Sequence, residues 1–376
     1  MWFNGAMTSL HERGFPLFIG VTGHRDIEQS SALDLVRIVN LQLRRLVAAL
    51  PSTPVCILSG MAPGADLIVA RAAVEAGAPV EAVLPMPLAH YLEDFDAGWR
   101  AELEALLAHP LVRRIELTPA GNLGERRGRD ASYRSLGAAL ARRSSLLLAV
   151  WDGHSTRLPG GTSDTVLHYL GCPGVSGGES GEPAFVTDGD AARSGGTVVY
   201  WVPVRRSGTG GQSVLPEACF LTGAGRDRLQ MHAGLPDAIA ADWGGLDRIN
   251  RDYQRLLATG AGGPRSGAGV DPGLLQVLDR ACGIAGSLAR YYAHPPASRR
   301  LLRALAALRG RRDGADREVA CRTLAEILRV RAHLVAAGAA HRVVPQEWLA
   351  LSAAGGCAGS GWICAALRSV EPTDAA

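Results

Sequence analysis

Aromatic side chains are scarce in this chain, at 5% of 376 residues. Stacking platforms of the kind that hold single-stranded nucleic acid are therefore not expected. Charge of one sign is not in excess either. The 39 basic and 36 acidic residues leave a net charge of +3, so neither a nucleic-acid footprint nor an acidic tail is predicted. The seven cysteines lie at positions 56, 172, 219, 282, 321, 357 and 364, and none forms a C-x-x-C pair. An odd count in a long chain argues against a disulfide framework and for a reducing, cytoplasmic setting. Histidines 90, 109, 154 and 168 show no ligand spacing with the cysteines, and no metal site is expected. No apolar run reaches the roughly 18 residues of a membrane helix. The opening MWFNGAMTSLHERG lacks the basic start and apolar stretch of a secretory signal.

The composition that remains is globular, with 47% hydrophobic and 20% charged residues. The length suits one large domain or a domain with an appendage. Residues 15–205 alternate between apolar runs and helical periods. Strands are expected near Leu17–Val21, Val55–Leu58, Val80–Leu84, Val112–Leu117, Leu146–Val150 and Thr197–Val204. Helices are expected at about Ser31–Leu50, Asp66–Gly77, Leu88–Leu107, Asp130–Arg143 and Asp164–Leu170. On the first helix, Leu33, Val36, Leu43, Leu46 and Val47 recur near helical spacing. Short apolar strands separated by helices predict a parallel sheet covered on both faces. The fold class is α/β, a Rossmann-like sheet in three layers, followed by a C-terminal helical region. Residues 172–196 are poor in apolar side chains and read as a flexible insertion.

Beyond residue 205 the period fades. Residues 206–270 read as an irregular connecting region ending in the linker SGAGVDPG, with one helical stretch near Ile249–Leu257. Residues 271–350 read as helical, with helices at Leu274–Tyr292, Ala297–Leu308 and Asp316–Ala337, and residues 351–376 as a flexible tail.

Polar or glycine-bearing loops follow the expected strand ends: TGHRD, SGMAPGAD, LPMP, WDG and PGGTSDTV. In a parallel sheet these ends share one edge, so loops remote in sequence can meet in one crevice. In the first loop Thr22 and Gly23 can line a ligand with hydroxyl and backbone groups. Arg25 can pair with a phosphate, or be held by Asp26. His24 can hydrogen-bond a base or sugar, or act as a base. In the second loop Ser59, Gly60 and Gly64 allow backbone N–H groups to approach an anion, and Asp66 can cap the helix. A tight turn with an N-cap is the plainer alternative. In the last loop Gly160 and Gly161 permit close approach, and Thr162 and Ser163 offer hydroxyls at a helix start. Trp151 can stack on a nucleobase or cover the sheet edge, and Asp152 can accept from a ribose hydroxyl. Neither G-x-x-x-x-G-K-[ST] nor G-x-G-x-x-G is present. Nucleoside triphosphatase and dinucleotide dehydrogenase chemistry are therefore disfavoured.

Taken in order, GVTGHRD, LSGMAPGAD, Leu84–Pro85, Leu146–Gly153 and Gly160–Gly161–Thr162 resemble the SLOG superfamily. That group includes DprA-like DNA-processing proteins, LOG enzymes and nucleotide-sensing domains fused to bacterial defence effectors. The resemblance covers residues 15–205. It implies a Rossmann-like domain that binds a nucleotide or nucleotide-derived ligand, a nicotinamide derivative included. Gly60, Gly64, Gly160, Gly161 and Thr162 would be the phosphate or ribose contacts, with Thr22, Gly23 and Arg25 facing them. The LOG pattern P-G-G-x-G-T-x-x-E is not completed here. Pro159-Gly160-Gly161-Thr162-Ser163-Asp164 lacks the second glycine element and the glutamate. Binding or sensing without catalysis, with the signal passed to the C-terminal helices, is the expectation that follows. A nucleoside 5'-monophosphate N-glycosidic hydrolase and a DprA-like single-stranded DNA binder are the alternatives. No cofactor is firmly implied, nucleic acid is not the expected partner, and a homo-oligomer or an effector protein is open. The segments DRACGIAGSLARYY and REVACRTLAEILRVRAHLVAAG also resemble bacterial proteins of this group that carry membrane helices between comparable segments. Here the intervening LRALAALRGRRDGADRE is broken by Arg309, Arg311 and Arg312, and no transmembrane span is expected.

Overall fold

The computed structural model describes residues 10–155, 160–172, 184–186, 197–207, 215–224, 228–259, 274–293, 313–337 and 361–371. A nine-stranded sheet runs in the order β4-β3-β2-β1-β5-β7-β8-β9-β6. Its strands are β1 (Leu17–Gly23), β2 (Val55–Ser59), β3 (Val80–Leu84), β4 (Val112–Glu116), β5 (Leu146–Trp151), β6 (Ala184–Val186), β7 (Val199–Pro203), β8 (Cys219–Gly223) and β9 (Arg228–His232). The first six positions in that order pair in parallel, and β7-β8 and β8-β9 pair antiparallel. The α/β, Rossmann-like three-layer architecture with C-terminal helices is present.

Alternation along each strand explains the layering. Leu17, Ile19 and Val21 of β1 join one core with Leu146, Leu148 and Val150 of β5. Phe18 faces the other side, with Cys56, Leu58 and Leu136, and Leu147, Ala149 and Trp151 pack there beside Val166 and Leu167. Residues of both parities are buried because helices cover both faces.

The helices are α1 (Gln29–Ala49), α2 (Ala65–Glu75), α3 (Leu88–Tyr91), α4 (Ala97–Leu107), α5 (Arg126–Arg143), α6 (Thr162–Tyr169), α7 (Asp237–Ala258), α8 (Leu274–Ala293), α9 (Asp313–Ala336) and α10 (Trp362–Arg368). On α1 the inward face is Leu35, Val39, Leu43 and Leu46, whereas Leu33 is 75% exposed. The inward face therefore starts at Leu35 rather than Leu33, with Leu43 and Leu46 in it as expected and Val36 partly buried beside it. The expected helix Leu88–Leu107 is broken at residues 92–96, where a single 3-10 turn precedes Asp96. Asp96 then accepts the Trp99 amide at 3.0 Å and starts α4 afresh.

Three features depart from the expected boundaries. The sheet continues past residue 205 through β8 and β9, and α7 follows, so 206–270 is not an irregular connection throughout. The strands there, CFLTG and RLQMH, mix polar with apolar residues and lack the continuous apolar run of β2 or β5. Inside the expected flexible insertion, β6 pairs with β9. In the expected flexible tail, all seven residues of α10 are buried. α10 packs with α7, α8 and α9 in a second core through Trp362, Ile363, Ala366 and Leu367. The expected helix Ala297–Leu308, the linker SGAGVDPG and Arg309, Arg311 and Arg312 lie outside the described residues. No helix among the described residues is long and apolar enough to cross a membrane.

Polar staples join the helical core to the base of the sheet. Asn250 of α7 accepts the Phe15 amide at 2.8 Å and donates to the Phe15 carbonyl at 2.9 Å. Asp247 accepts the Ser52 amide at 2.7 Å. At the far end, Arg331 and Glu371 form a two-pronged ion pair at 2.9 and 3.2 Å, both nearly inaccessible.

Candidate functional site

The chain leaves β1, builds outward through β2, β3 and β4, and then returns to β5 on the other side of β1. The connections reverse direction between β1 and β5. In open parallel sheets ligands bind beyond the carboxyl ends of the strands at such a point. A cleft of about 360 Å³ lies there, at the small end of the roughly 300–1,000 Å³ typical of ligand pockets.

Four segments make most of its walls. The β1 exit contributes Thr22, Gly23, His24, Arg25 and Asp26, and the second loop Ala62 and Asp66. The α6 start contributes Gly160, Gly161, Thr162 and Thr165. The α5 side adds Tyr133, Leu136, Gly137 and Leu140, with Tyr91 of α3 and Arg206 beyond β7. Eight residues expected from the sequence therefore meet in one cleft: Thr22, Gly23, His24, Arg25, Asp66, Gly160, Gly161 and Thr162.

The other six expected residues lie outside its walls. Ser59 is fully buried, and its hydroxyl accepts the Met61 amide at 3.1 Å and donates to the Asp66 carbonyl. It shapes the second loop. The Gly60 carbonyl accepts the Tyr91 hydroxyl at 2.8 Å. Gly64 adopts φ +83°, and its amide neighbour Ala65 donates to the His24 carbonyl at 3.0 Å, locking the first two loops together. Trp151 is fully buried; its indole N–H donates to the His154 carbonyl, and its ring packs 6.1 Å from that of Trp201. Stacking on a nucleobase is excluded for it. Asp152 is occupied by His24, whose Nε2 lies 3.0 Å from Asp152 Oδ1, and by the His154 amide at 3.0 Å. Burial works to raise the Asp152 pKa, but these hydrogen bonds outweigh it and hold the carboxyl below its ordinary value. Ser163 is 1% exposed on the inner side of α6.

Asp26 does not close on Arg25. It takes a bidentate pair with Arg206, at 2.9 to 3.1 Å, because the chain leaving β7 runs beside it and Ser207 donates to the Asp26 carbonyl. That leaves the Arg25 guanidinium over the Tyr133 ring, 5.2 Å from its centroid. Tyr133 in turn donates to Asp94, which is gripped by Arg129 at 2.8 Å.

At α6, Gly160 has φ +74°, and Gly161 is the N-cap position. Asp164 accepts the Gly160 amide at 2.8 Å, so its carboxylate closes the loop. Gly160, Gly161 and Thr162 thus put the α6 N-terminus, the positive end of the helix dipole, in the cleft lining.

Asp66 is the unusual group. It is 7% exposed and faces the cleft, and its carboxylate accepts only a long 3.4 Å bond from the Ala62 amide among the described residues. Burial raises its pKa to about 7 against the smaller opposing pull of the Ala62 amide and Arg25. Between the ordinary carboxylate range and pH 7 the folded state holds a proton the unfolded chain has released. Asp66 therefore makes stability fall as pH rises through that window, with no further loss above it. Asp66→Asn is expected to be more stable than the parent at pH 8, by on the order of 2–4 kcal/mol, and about equal at pH 4. Urea unfolding at the two pH values measures this.

Tyr91, Tyr133, Thr165 and Arg206 were not anticipated. Each follows a strand exit: Tyr91 after LPMP, Tyr133 after the polar loop leaving β4, and Arg206 directly after β7. Tyr133 stands two turns into α5 and Thr165 one turn into α6, where the sequence carries no local mark of the cleft.

Fold and cleft together define a Rossmann-like α/β protein with a ligand-sized crevice at its switch point. No family model and no curated protein matches the chain. Two solved structures are similar to part of it. DNA processing protein A (DprA) from Streptococcus pneumoniae is 15% identical over 50% of this chain and 54% of its own, with a TM-score of 0.30. DNA processing protein A from Helicobacter pylori, described for its single-stranded DNA binding mode, is 18% identical over 49% of this chain and 70% of its own, with a TM-score of 0.28. The match thus spans about half the length of the Streptococcus pneumoniae protein.

Proposed function

We propose that the cleft binds a phosphate-bearing nucleotide or nucleotide-derived ligand, and that binding rather than catalysis is its task. The observation that carries this reading is the meeting of Thr22–Arg25, Asp66 and Gly160–Thr162 around one crevice. The α6 amides and Arg25 suit a phosphate, and the hydroxyls of Thr22, Thr162 and Thr165 suit a sugar. The small volume favours a mononucleotide over a dinucleotide. Calorimetric titration with nucleoside mono- and diphosphates and nicotinamide mononucleotide is expected to give saturable heat with at least one of them. Folded protein that stays silent across the panel would sink the reading.

Transmission to the helical region has a physical route. Arg368 of α10 donates to the Ala141 and Ser144 carbonyls at 3.2 and 3.1 Å and lies over the Tyr169 ring. Tyr169 sits at the end of α6 away from Gly160–Thr162, and Ala141 and Ser144 close α5 just past Leu140 of the lining, so both cleft helices bear on α10.

Hydrolysis of an N-glycosidic bond is the second reading, and it now falls to one residue. Asp152 and Asp164 are engaged in holding loops, whereas Asp66 faces the cleft and titrates near neutrality. Release of free base during long incubation with nucleoside monophosphates would establish it. Single-stranded DNA, named for the Helicobacter pylori protein, is separated from both by salt-titrated retention on an oligonucleotide.

A further inference from the structure

The cleft sets an anion-binding wall against a buried carboxyl group. Arg25, the α6 start at Gly160–Thr162 and Asp66 all line the same cleft of about 360 Å³. Asp26, the other carboxylate in the lining, is neutralised by Arg206. Asp66 has no ion pair among the described residues. An ionised Asp66 would face an incoming phosphate within this small cleft, where like charges repel. A neutral carboxylic acid there has the opposite character: it can donate a hydrogen bond to the anion.

Resting on the reading of the cleft as an anion site, we propose that it takes up its anion together with a proton, and that Asp66 receives that proton. The groups packed around Asp66 leave it as the acceptor. From the β1 exit comes Arg25, a permanent cation, and from α3 the Tyr91 hydroxyl, already donated to Gly60. From α5 come apolar Leu136, which packs on Gly60 beside the carboxylate, and, further out, Tyr133 with Asp94. From β2 comes the Ser59 hydroxyl, donated to the Asp66 carbonyl. The Tyr91 pKa is raised well above its ordinary value, chiefly by burial, so it does not titrate near neutrality. Burial places Asp66 at about 7 before any ligand arrives, and a bound anion pushes it higher. The His24 imidazole, also in the lining, is held against Asp152, with Nε2 3.0 Å from Oδ1.

Sulfate is the probe, because its charge is constant between pH 6 and pH 8.5 whereas a phosphate ester titrates within that range. Calorimetric titrations of the full chain in buffers of unlike ionisation heat report both affinity and protons taken up. The expected result is an affinity that falls by about tenfold per pH unit above pH 7, with proton uptake on binding there. Asp66→Asn is expected to abolish the slope, and His24→Gln to keep it. An affinity independent of pH, with heats independent of buffer, would overturn the proposal. So would a slope that survives Asp66→Asn and disappears in His24→Gln. If Asp66→Asn fails to fold, proton uptake by the parent and its persistence in His24→Gln still decide the matter. No sulfate binding at any pH would remove the anion site itself. Sulfate binding with silence toward every nucleotide would leave this proposal standing and overturn the nucleotide reading.

Discussion

Glu81→Ala is expected to cost about 3–5 kcal/mol of stability, read as a lower urea midpoint at pH 7. Glu81 sits in β3 directly opposite Arg113 of β4. Its carboxylate takes Arg113 at 2.8 Å and Arg143, at the end of α5, at 2.5 Å. Glu81 and Arg143 are 3% and 4% exposed, and the Arg143 guanidinium stands over the Phe18 ring. Removing the carboxylate takes the Glu81 charge away from two cations, one of them buried. Glu81→Gln keeps the volume but not the charge and is expected to lose nearly as much. The pH dependence has a definite sign. Burial alone would raise the Glu81 pKa, but the two guanidiniums outweigh it and hold the carboxyl below 4.5. Its stabilising contribution is complete above the ordinary carboxylate range and is lost as pH falls below it. Wild type and Glu81→Ala should therefore converge in stability on acidification. A midpoint shift that stays constant down to pH 2.5 would assign the cost to packing instead.

This carboxylate also shows where sequence reading stops. VEAVL reads as an apolar strand, and β3 forms at Val80–Leu84 as that reading requires. Nothing local indicates that Glu81 is buried, because its partners are 32 and 62 residues away. The same holds in the site. TGHRD, SGMAPGAD and PGGTSDTV announce their glycines and hydroxyls, and topology brings them together at β1 and β5. Which side chains within them reach the cleft depends on tertiary partners. Trp151 turned inward because it fills a space beside Trp201 and Phe185. Arg25 was left to the cleft because Arg206, 180 residues from Asp26, took Asp26 first. α10 escaped notice because seven residues are too few to show a period, and its burial depends on α7, α8 and α9 already being in place.

Gly64→Ala should abolish ligand binding and cost well over the roughly 1–2 kcal/mol that a left-handed residue pays for carrying a Cβ. Gly64 has φ +83°, and a Cβ there would lie 2.4 Å from the Arg25 carbonyl oxygen and 2.6 Å from that of His24. Both obstacles are backbone, and neither can swing aside as a flexible side chain would. The loop carrying Arg25 must retreat, or α2 must, and either movement separates Arg25 from Asp66. The control is Gly171→Ala, where φ is +68° and no atom lies within 4 Å of the added carbon. That variant carries the conformational penalty alone, so its loss should stay near 1–2 kcal/mol with ligand affinity unchanged. The difference between the two variants isolates the contact that joins the first and second loops. If they lose equal stability and both still bind, the two loops do not depend on that contact, and the cleft is held by α5 and α6 instead.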